Sequence, residues 1–197
     1  MAERMSGVWA NLQNIGAREY TCGYCDAFVS SALGMQIVNP QQGNIVVGTI
    51  RVCPSCQRPT FFEGNRQQPG VAYGGKVGHI ADDVSALYQE ARKCTSVGAH
   101  TAAILACRKI LMHTAVDKGA APGKSFLDYV GFLSEKGYIT PDAKGWVDAI
   151  RTKGNEANHE IKVMNQDDAH ELLTLVEMLL KIIYEFPARA PKPPAPP

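Results

Sequence analysis

The distribution of apolar residues changes in character about two fifths of the way along the chain. Residues 45–50 (IVVGTI) are rich in β-branched residues and are bounded by glycine, which is typical of a strand. The segment 26–35 and the turn-forming sequence NPQQGN at 39–44 complete a predicted β-hairpin. From Ile80 onward, apolar residues recur at the spacing of one helix face. The pattern predicts a small β module followed by a helical domain, an α+β protein.

The helical part is predicted to contain five helices. They lie near residues 81–93, 99–116, 125–136, 141–153 and 167–185. Asp82 or Asp83 is expected to cap the first helix and Ser125 the third, while Gly137 ends the third and Pro187 the last. The core positions expected in the second helix are Ala103, Ile104, Cys107, Ile110 and Leu111. Short connections favour antiparallel neighbours, so we expect a helical bundle.

Composition divides the chain further. Residues 1–62 hold the N-terminal segment and the β module, the glycine-rich stretch 63–79 is expected to be a linker, and residues 80–186 form the helical domain. The last eleven residues, 187–197, contain six of the twelve prolines. They are expected to form an extended, solvated tail, the alternative being a ligand for an aromatic groove.

Charge and hydropathy limit the classes of partner. The net charge is +1, with six Lys/Arg against four Asp/Glu in residues 1–80 and fourteen against fifteen in the rest. This balance argues against a general nucleic-acid binder, although a local basic patch is compatible with it. The most apolar stretch, Leu172–Ile183, is too short and too polar to cross a membrane, and the N-terminus has no signal-peptide pattern. We therefore expect a cytoplasmic protein without a membrane partner.

Four cysteines in two Cys-x-x-Cys pairs carry the clearest chemistry. The pairs are Cys22 with Cys25 and Cys53 with Cys56, separated by the 27 residues 26–52. Two such pairs are typical of a structural zinc site with four thiolate ligands. A redox dithiol is the competing interpretation, but it would use a single pair. A catalytic zinc is disfavoured because four thiolates leave no position for water.

The residues between the paired cysteines suit tight turns. Gly23 is expected to adopt a positive φ, and Pro54 to fix a turn at the second pair. Cys94 and Cys107 lie on apolar helix faces, where a free cysteine behaves as a small hydrophobic residue.

A second polar cluster occupies residues 151–160 (RTKGNEANHE). In a continuous helix Arg151, Asn155 and His159 would form one stripe, with His159 as an acid or base and Arg151 holding a phosphate. The competing interpretation is a helix–turn–helix corner, since Gly154 ends helices and Asn155 caps them. The residues alone leave both interpretations open.

Three stretches resemble the bacterial family called domain of unknown function 4145. They are RVCPSCQRPTFF, LYQEARKC with AAILACRKIL, and GWVDAIRTKGNEANHE. That family is similar to the HEPN superfamily, helical domains common in toxin–antitoxin, CRISPR and phage-defence proteins. The resemblance implies a zinc-ribbon module followed by a HEPN-like helical bundle, and a homodimer in which the polar motifs of two subunits meet.

The resemblance also bears on catalysis. Active HEPN ribonucleases have an Arg followed by a polar residue and a His four to six residues on, whereas seven residues separate Arg151 from His159. Lys153 has the family spacing but lacks the planar guanidinium. Arg108 resembles another recurrent polar position and is expected to pair with Glu156 or Glu160.

Two functions follow from these observations. The first is a non-catalytic module that binds nucleic acid, for example RNA, or a protein partner in a prokaryotic defence or stress setting. The alternative is a metal-independent endoribonuclease that uses His159, Arg151 and Asn155. We expect zinc as the cofactor because of the two cysteine pairs. The sequence has no phosphate-binding loop, nucleophile elbow or carboxylate cluster suited to magnesium, so no small-molecule cofactor is expected.

Overall fold

An antiparallel sheet forms the first part of the chain, and helices follow it. The computed structural model describes residues 4–139 and 163–191. The chain divides into two units, Met1–Ala72 and Tyr73–Pro197. A β unit followed by a helical unit confirms the predicted α+β class.

The β unit is a five-stranded meander in which each strand pairs with the next along the chain. The strands are β1 (Gln13–Thr21), β2 (Phe28–Asn39), β3 (Ile45–Val52), β4 (Pro59–Glu63) and β5 (Arg66–Gln68). The predicted hairpin is β2–β3, and its turn is a single 3-10 turn at Pro40–Gln42. The side chain of Asn39 accepts a hydrogen bond from the Gln41 N–H, and Gly43 and Asn44 have positive φ. The predicted turn at 39–44 is therefore confirmed.

Three strands were not predicted. β4 lies in the predicted β module but outside its hairpin, β1 lies in the segment expected only to lead into the β module, and β5 lies in the expected linker. Within β1, Tyr20 is buried and most of the other residues are exposed, so the strand has no strong apolar alternation to recognise. Its pairing with β2, rather than its own sequence pattern, makes it a strand.

Arg51 on β3 holds the irregular part of β1 in place. The register of β1 against β2 shifts between Asn14 and Arg18. The buried guanidinium of Arg51 donates to the Gly16 carbonyl at 2.7 Å and to the Ser31 carbonyl at 2.6 Å. A single guanidinium therefore supplies hydrogen bonds to backbone carbonyl groups of both β1 and β2.

The helical unit contains α1 (Asp82–Ser96), α2 (His100–Asp117), α3 (Phe126–Glu135), α4 (Gln166–Leu180) and the short α5 (Phe186–Arg189). A π-helical turn, Lys181–Glu185, joins α4 to α5. Four of the five predicted helices are present. The first three agree with their predicted bounds within three residues at each end, whereas the last is α-helical only to Leu180 and reaches its predicted end at residue 185 through the π turn. The fifth, at 141–153, lies outside the described residues.

The predictions of where the helices begin and end are partly confirmed and partly wrong. Ser125 caps α3 in a reciprocal pair with Asp128, and Gly137 follows with a φ of 76°. Asp82 and Asp83 do not cap α1, because its N-cap is Ala81 without a side-chain bond; they lie in the first turn, where their charge favours the helix dipole. Pro187 does not end the last helix, because the preceding π turn lets the chain continue to Arg189.

The core of the helical unit forms where α1, α2, α3 and α4 meet. All five core positions expected in α2 are at most 5% exposed. Tyr88 from α1, Leu133 from α3 and Leu173 from α4 are fully enclosed with them. Each buried aliphatic side chain of this kind contributes about 1.5–3 kcal/mol, which makes this cluster the main stabilising feature of the unit.

Residues 73–78 run across α1 and α4 and are fastened by charged side chains. The guanidinium of Arg92 donates to the Gly74 carbonyl at 2.6 Å. The Glu177 carboxylate accepts from the Gly75 N–H at 2.7 Å, and Glu185 accepts from the Gly78 N–H at 2.8 Å. A Cβ at position 75 would lie 2.8 Å from a Glu177 oxygen, so a larger residue there would displace this carboxylate.

Glu177→Gln is expected to destabilise the helical unit in a pH-dependent way. Burial by itself would raise the pKa of Glu177, but Lys181, the Gly75 N–H and Tyr88 together hold it below its ordinary value. A lowered pKa stabilises the folded state above the unfolded pKa of about 4.3, and this contribution is lost as pH falls through the folded value. The substitution should cost about 1–3 kcal/mol at pH 7 and progressively less below about pH 4.

Urea unfolding followed by far-UV circular dichroism across this pH range measures the effect. Glu135→Gln, at an exposed position, is the control and should change stability by less than about 0.5 kcal/mol. A loss from Glu177→Gln that is the same at pH 3 and pH 7 would contradict this account.

Candidate metal centre

The four cysteines lie in two turns of the same geometry. One turn joins β1 to β2 and holds Cys22 and Cys25; the other joins β3 to β4 and holds Cys53 and Cys56. The Asp26 N–H donates to the Cys22 carbonyl, and the Gln57 N–H donates to the Cys53 carbonyl in the matching position. The antiparallel meander places both turns at the same end of the sheet, because each follows an odd-numbered strand.

The sulfur atoms are arranged as ligands of one ion. All four Sγ atoms lie within 4.8 Å of one another. The Cys22–Cys56 and Cys25–Cys53 Sγ separations are 3.7 and 3.9 Å. A tetrahedral ion with metal–sulfur bonds of about 2.3 Å requires sulfurs about 3.8 Å apart. The four cysteines therefore fit a single tetrahedral metal ion.

The environment of the sulfurs is one in which a bound cation would stabilise the thiolate forms. Cys22, Cys53 and Cys56 are at most 2% exposed, and Cys25 is half-buried. Burial raises the pKa of the Cys22 and Cys56 thiols. Burial would also raise the pKa of Cys25, but the Ala27 N–H and neighbouring thiols lower it overall. Four thiolates this close together would repel one another strongly in the absence of a positive ion.

Gly23 is needed for a reason other than the predicted one. Gly23 does not have a positive φ. In each turn the residue with a positive φ is the one after the second cysteine, Asp26 in the first turn and Gln57 in the second, and both have a φ of 61°. A Cβ on Gly23 would lie 2.2 Å from the Gly70 carbonyl oxygen and 2.6 Å from that of Pro69. The glycine thus permits the chain after β5 to pass directly over the first turn.

Residues outside the cysteine pairs enclose the site. Tyr20 and Phe62 pack edge to face at 5.1 Å and form a small core with the sulfurs. The Trp9 indole N–H donates to the Gln57 carbonyl at 2.8 Å, and the Met5 N–H donates to the Cys56 carbonyl at 3.0 Å. The N-terminal segment therefore covers the second turn, a role that no motif in the sequence indicated.

The predicted catalytic residues Arg151, Asn155 and His159 lie outside the described residues, as do Glu156 and Glu160, the expected partners of Arg108. The Arg108 guanidinium lies 4.5 Å from the centre of the Phe126 ring. Burial lowers the pKa of Arg108. The interpretation of Cys107 as a core residue agrees with its complete burial, which raises its pKa to about 12.

Arg108 also lines a groove on the surface of α2. The groove has a volume of about 450 Å³. Its lining combines apolar and basic side chains without a carboxylate among the described residues: Leu105, Arg108, Lys109, Met112, His113, Val116 and Tyr129.

The fold and site define an α+β protein with a four-cysteine cluster in its β unit and a separate helical unit. The chain belongs to the family described as Domain of unknown function (DUF4145), whose sequence profile matches residues 89–193. The predicted family is thereby confirmed. The matched residues lie in the helical unit, so the four cysteines are outside the match.

No curated protein and no solved structure gave a significant match to this chain. Within the described ranges, none of the helices has the length and apolarity that crossing a bilayer requires.

Gly23→Ala is expected to weaken both metal binding and the stability of the β unit. The new methyl group would meet backbone oxygens rather than a flexible side chain, so the chain over the first turn must move, at a cost of about 1–3 kcal/mol. Metal content after dialysis against a weak chelator, together with denaturant unfolding, measures both effects.

Gly131→Ala in α3 is the matched control, because a Cβ there would meet no atom of the described residues within 4 Å. It should leave the metal content unchanged and stabilise the helix by up to about 1 kcal/mol. Full metal retention in Gly23→Ala would show that the close approach is not required.

Proposed function

We propose that this chain is a zinc-stabilised, non-catalytic binding module. The observation that carries the proposal is the convergence of four cysteine sulfurs, with separations of 3.7 and 3.9 Å that suit one tetrahedral ion. Among common tetrahedral metals, zinc is the usual partner of two Cys-x-x-Cys pairs. Four protein ligands leave no coordination position for water or substrate, which favours a structural ion.

The proposed ligands are Cys22, Cys25, Cys53 and Cys56. The ion would join the β1–β2 turn to the β3–β4 turn and neutralise the buried thiolates. The small core around it supports this role, since the buried residues of this cluster are two aromatic side chains and three of the cysteines themselves. A β unit with so little apolar core needs a crosslink to be stable.

The binding surface proposed for the helical unit is the groove on α2. Its exposed basic side chains, Lys109 and His113, lie among apolar positions, Arg108 is buried beneath them, and carboxylates are missing from the described lining. This combination suits an anionic macromolecule, either RNA or an acidic protein segment. The groove supplies a local basic surface in a chain with a net charge of only +1. The HEPN-like nature of the bundle and a defence or stress setting rest on the family resemblance alone.

Cys53→Ser is expected to reduce zinc content from about one ion per chain and to unfold the β unit. Elemental analysis of the purified protein, and far-UV circular dichroism before and after a chelator, measure these effects. Helical signal should largely survive, because the helical unit has its own core.

Cys94→Ser is the control, since Cys94 lies in α1 and outside the four-cysteine cluster. It should keep the full zinc content. A wild-type protein purified without metal would overturn the proposal, and loss of all helical signal in Cys53→Ser would show that the units fold together.

The full chain is expected to bind single-stranded RNA without cutting it. Binding through phosphate contacts should weaken steeply between about 50 and 200 mM salt. Lys109→Glu in the groove should reduce affinity at least about tenfold, whereas Lys76→Glu, an exposed residue outside the groove, should have little effect. Filter binding and gel analysis of the same RNA measure affinity and integrity.

Wild type and His159→Ala should leave the RNA equally intact. Cleavage by wild type that His159→Ala abolishes would support the alternative, a metal-independent ribonuclease. Absence of RNA binding at low salt would exclude RNA as the partner.

A further inference from the structure

The β2–β3 hairpin extends beyond the rest of the sheet. The last residue of β2 that pairs with β1 is Gly34, and the first residue of β3 that pairs with β4 is Thr49. Residues 35–48 therefore form a ribbon of two strands whose outer edges have no neighbouring strand in the part of the chain that the structure describes. We call residues 35–48 the hairpin extension.

Apolar side chains cover both faces of this ribbon. Residues opposite one another on paired strands share a face, so Met35 and Ile37 lie on one face and the Val38–Val46 pair lies on the other. The apolar side chains of the ribbon and its base are 42–59% exposed: Leu33, Met35, Ile37, Val38, Ile45, Val46 and Val47. Alternation of apolar and polar faces, the usual pattern of a solvated hairpin, is missing here.

The same segment has no charge. Asp26 and Arg51 are separated by 24 uncharged residues, 27–50, the longest such stretch in the sequence. Proteins commonly protect exposed strand edges with lysine, proline in the strand or inward-facing charges. None of these three devices occurs within the strands of the hairpin extension, since its single proline, Pro40, lies in the turn; the pairing of the two strands does shift register between Ile37 and Val38.

A ribbon of this kind is marginal in water by itself. An isolated two-stranded hairpin generally needs a third strand or a packed face for stability. The exposed patch is also large. A side chain of this size carries on the order of 100 Å² of apolar surface, so seven half-exposed ones present roughly 350 Å². This area is the sum over both faces of the ribbon. An interface that enclosed both faces would therefore approach the apolar share of the about 800 Å² that each partner contributes to a stable dimer.

We propose that the hairpin extension is a self-association surface, and that its partner is the hairpin extension of a second copy of this chain. A surface without charge is best matched by another surface without charge, because a charged partner would lose hydration without compensation. The hairpin extension itself is such a surface. A two-fold axis would bring the same residues of both copies together, as in most homodimers.

The chemistry of the hairpin extension disfavours a lipid surface as its partner. Segments that bind at the membrane interface combine apolar residues with lysine or arginine, and often with tryptophan. Residues 35–48 contain no cation and no aromatic residue. The proposal places self-association in the β unit, whereas the family resemblance implies a helical dimer, and it does not depend on the proposed RNA partner.

Sedimentation velocity of the full chain from about 1 to 100 µM tests the proposal, since interfaces of standard size reach micromolar affinity or better. Wild type should be dimeric. Ile37→Lys and Ile45→Lys, at side chains 45% and 59% exposed, should each raise the dimer dissociation constant at least about tenfold. Val71→Lys, 51% exposed in the same unit but outside the hairpin extension, is the matched control and should remain dimeric.

Metal content measured on the same samples shows whether the β unit of each variant is folded. A wild-type chain that stays monomeric to about 100 µM would overturn the proposal, whatever its metal content or RNA affinity. So would a dimer that persists in both metal-loaded hairpin variants, or one that Val71→Lys also dissociates. Monomeric wild type that floats with phosphatidylcholine–phosphatidylglycerol vesicles, when Ile37→Lys does not, would assign the surface to lipid instead.

Discussion

The meeting of four sulfur atoms at one end of a five-stranded meander is the constraint on which the β unit depends. Each strand pairs with its sequence neighbour, so the sheet by itself requires only local contacts. β2 and β3 separate the two cysteine turns along the chain. Because the sulfurs of both turns meet, the end of the β1–β2 hairpin is held close to the end of the β3–β4 hairpin. A tetrahedral ion suits this arrangement because it replaces the apolar volume that so small a unit lacks.

The helical unit is stabilised by different means. Its core is a continuous cluster of aliphatic and aromatic side chains. The segment 73–78 is fixed to α1 by Arg92, to α4 by Glu177 and to the π turn by Glu185. These charged groups are largely buried, yet each has backbone or ionic partners. Buried charges are tolerated in such positions because their hydrogen bonds replace the lost hydration.

The proposals assign different tasks to different surfaces. The sulfur cluster is closed and serves stability, the α2 groove offers basic and apolar side chains to a partner, and the hairpin extension offers an uncharged ribbon to a second copy. None of these surfaces shares a residue with another. The α2 groove can therefore be altered by substitution while the other two are retained, whereas loss of the sulfur cluster is expected to unfold the β unit that carries the hairpin extension.

The sequence by itself determined the α+β class, the four-cysteine set, the turn at 39–44 and most helix bounds, because these follow from local chemistry: fixed thiol spacing, turn residues and apolar periodicity. Tertiary structure alone decided the rest. β1 and β5 are strands because a neighbouring strand pairs with them, Gly23 is required because residues 69–70 pass over it, and Trp9 covers a turn 48 residues away. Such contacts join residues far apart in the chain, and no local pattern of side chains encodes them.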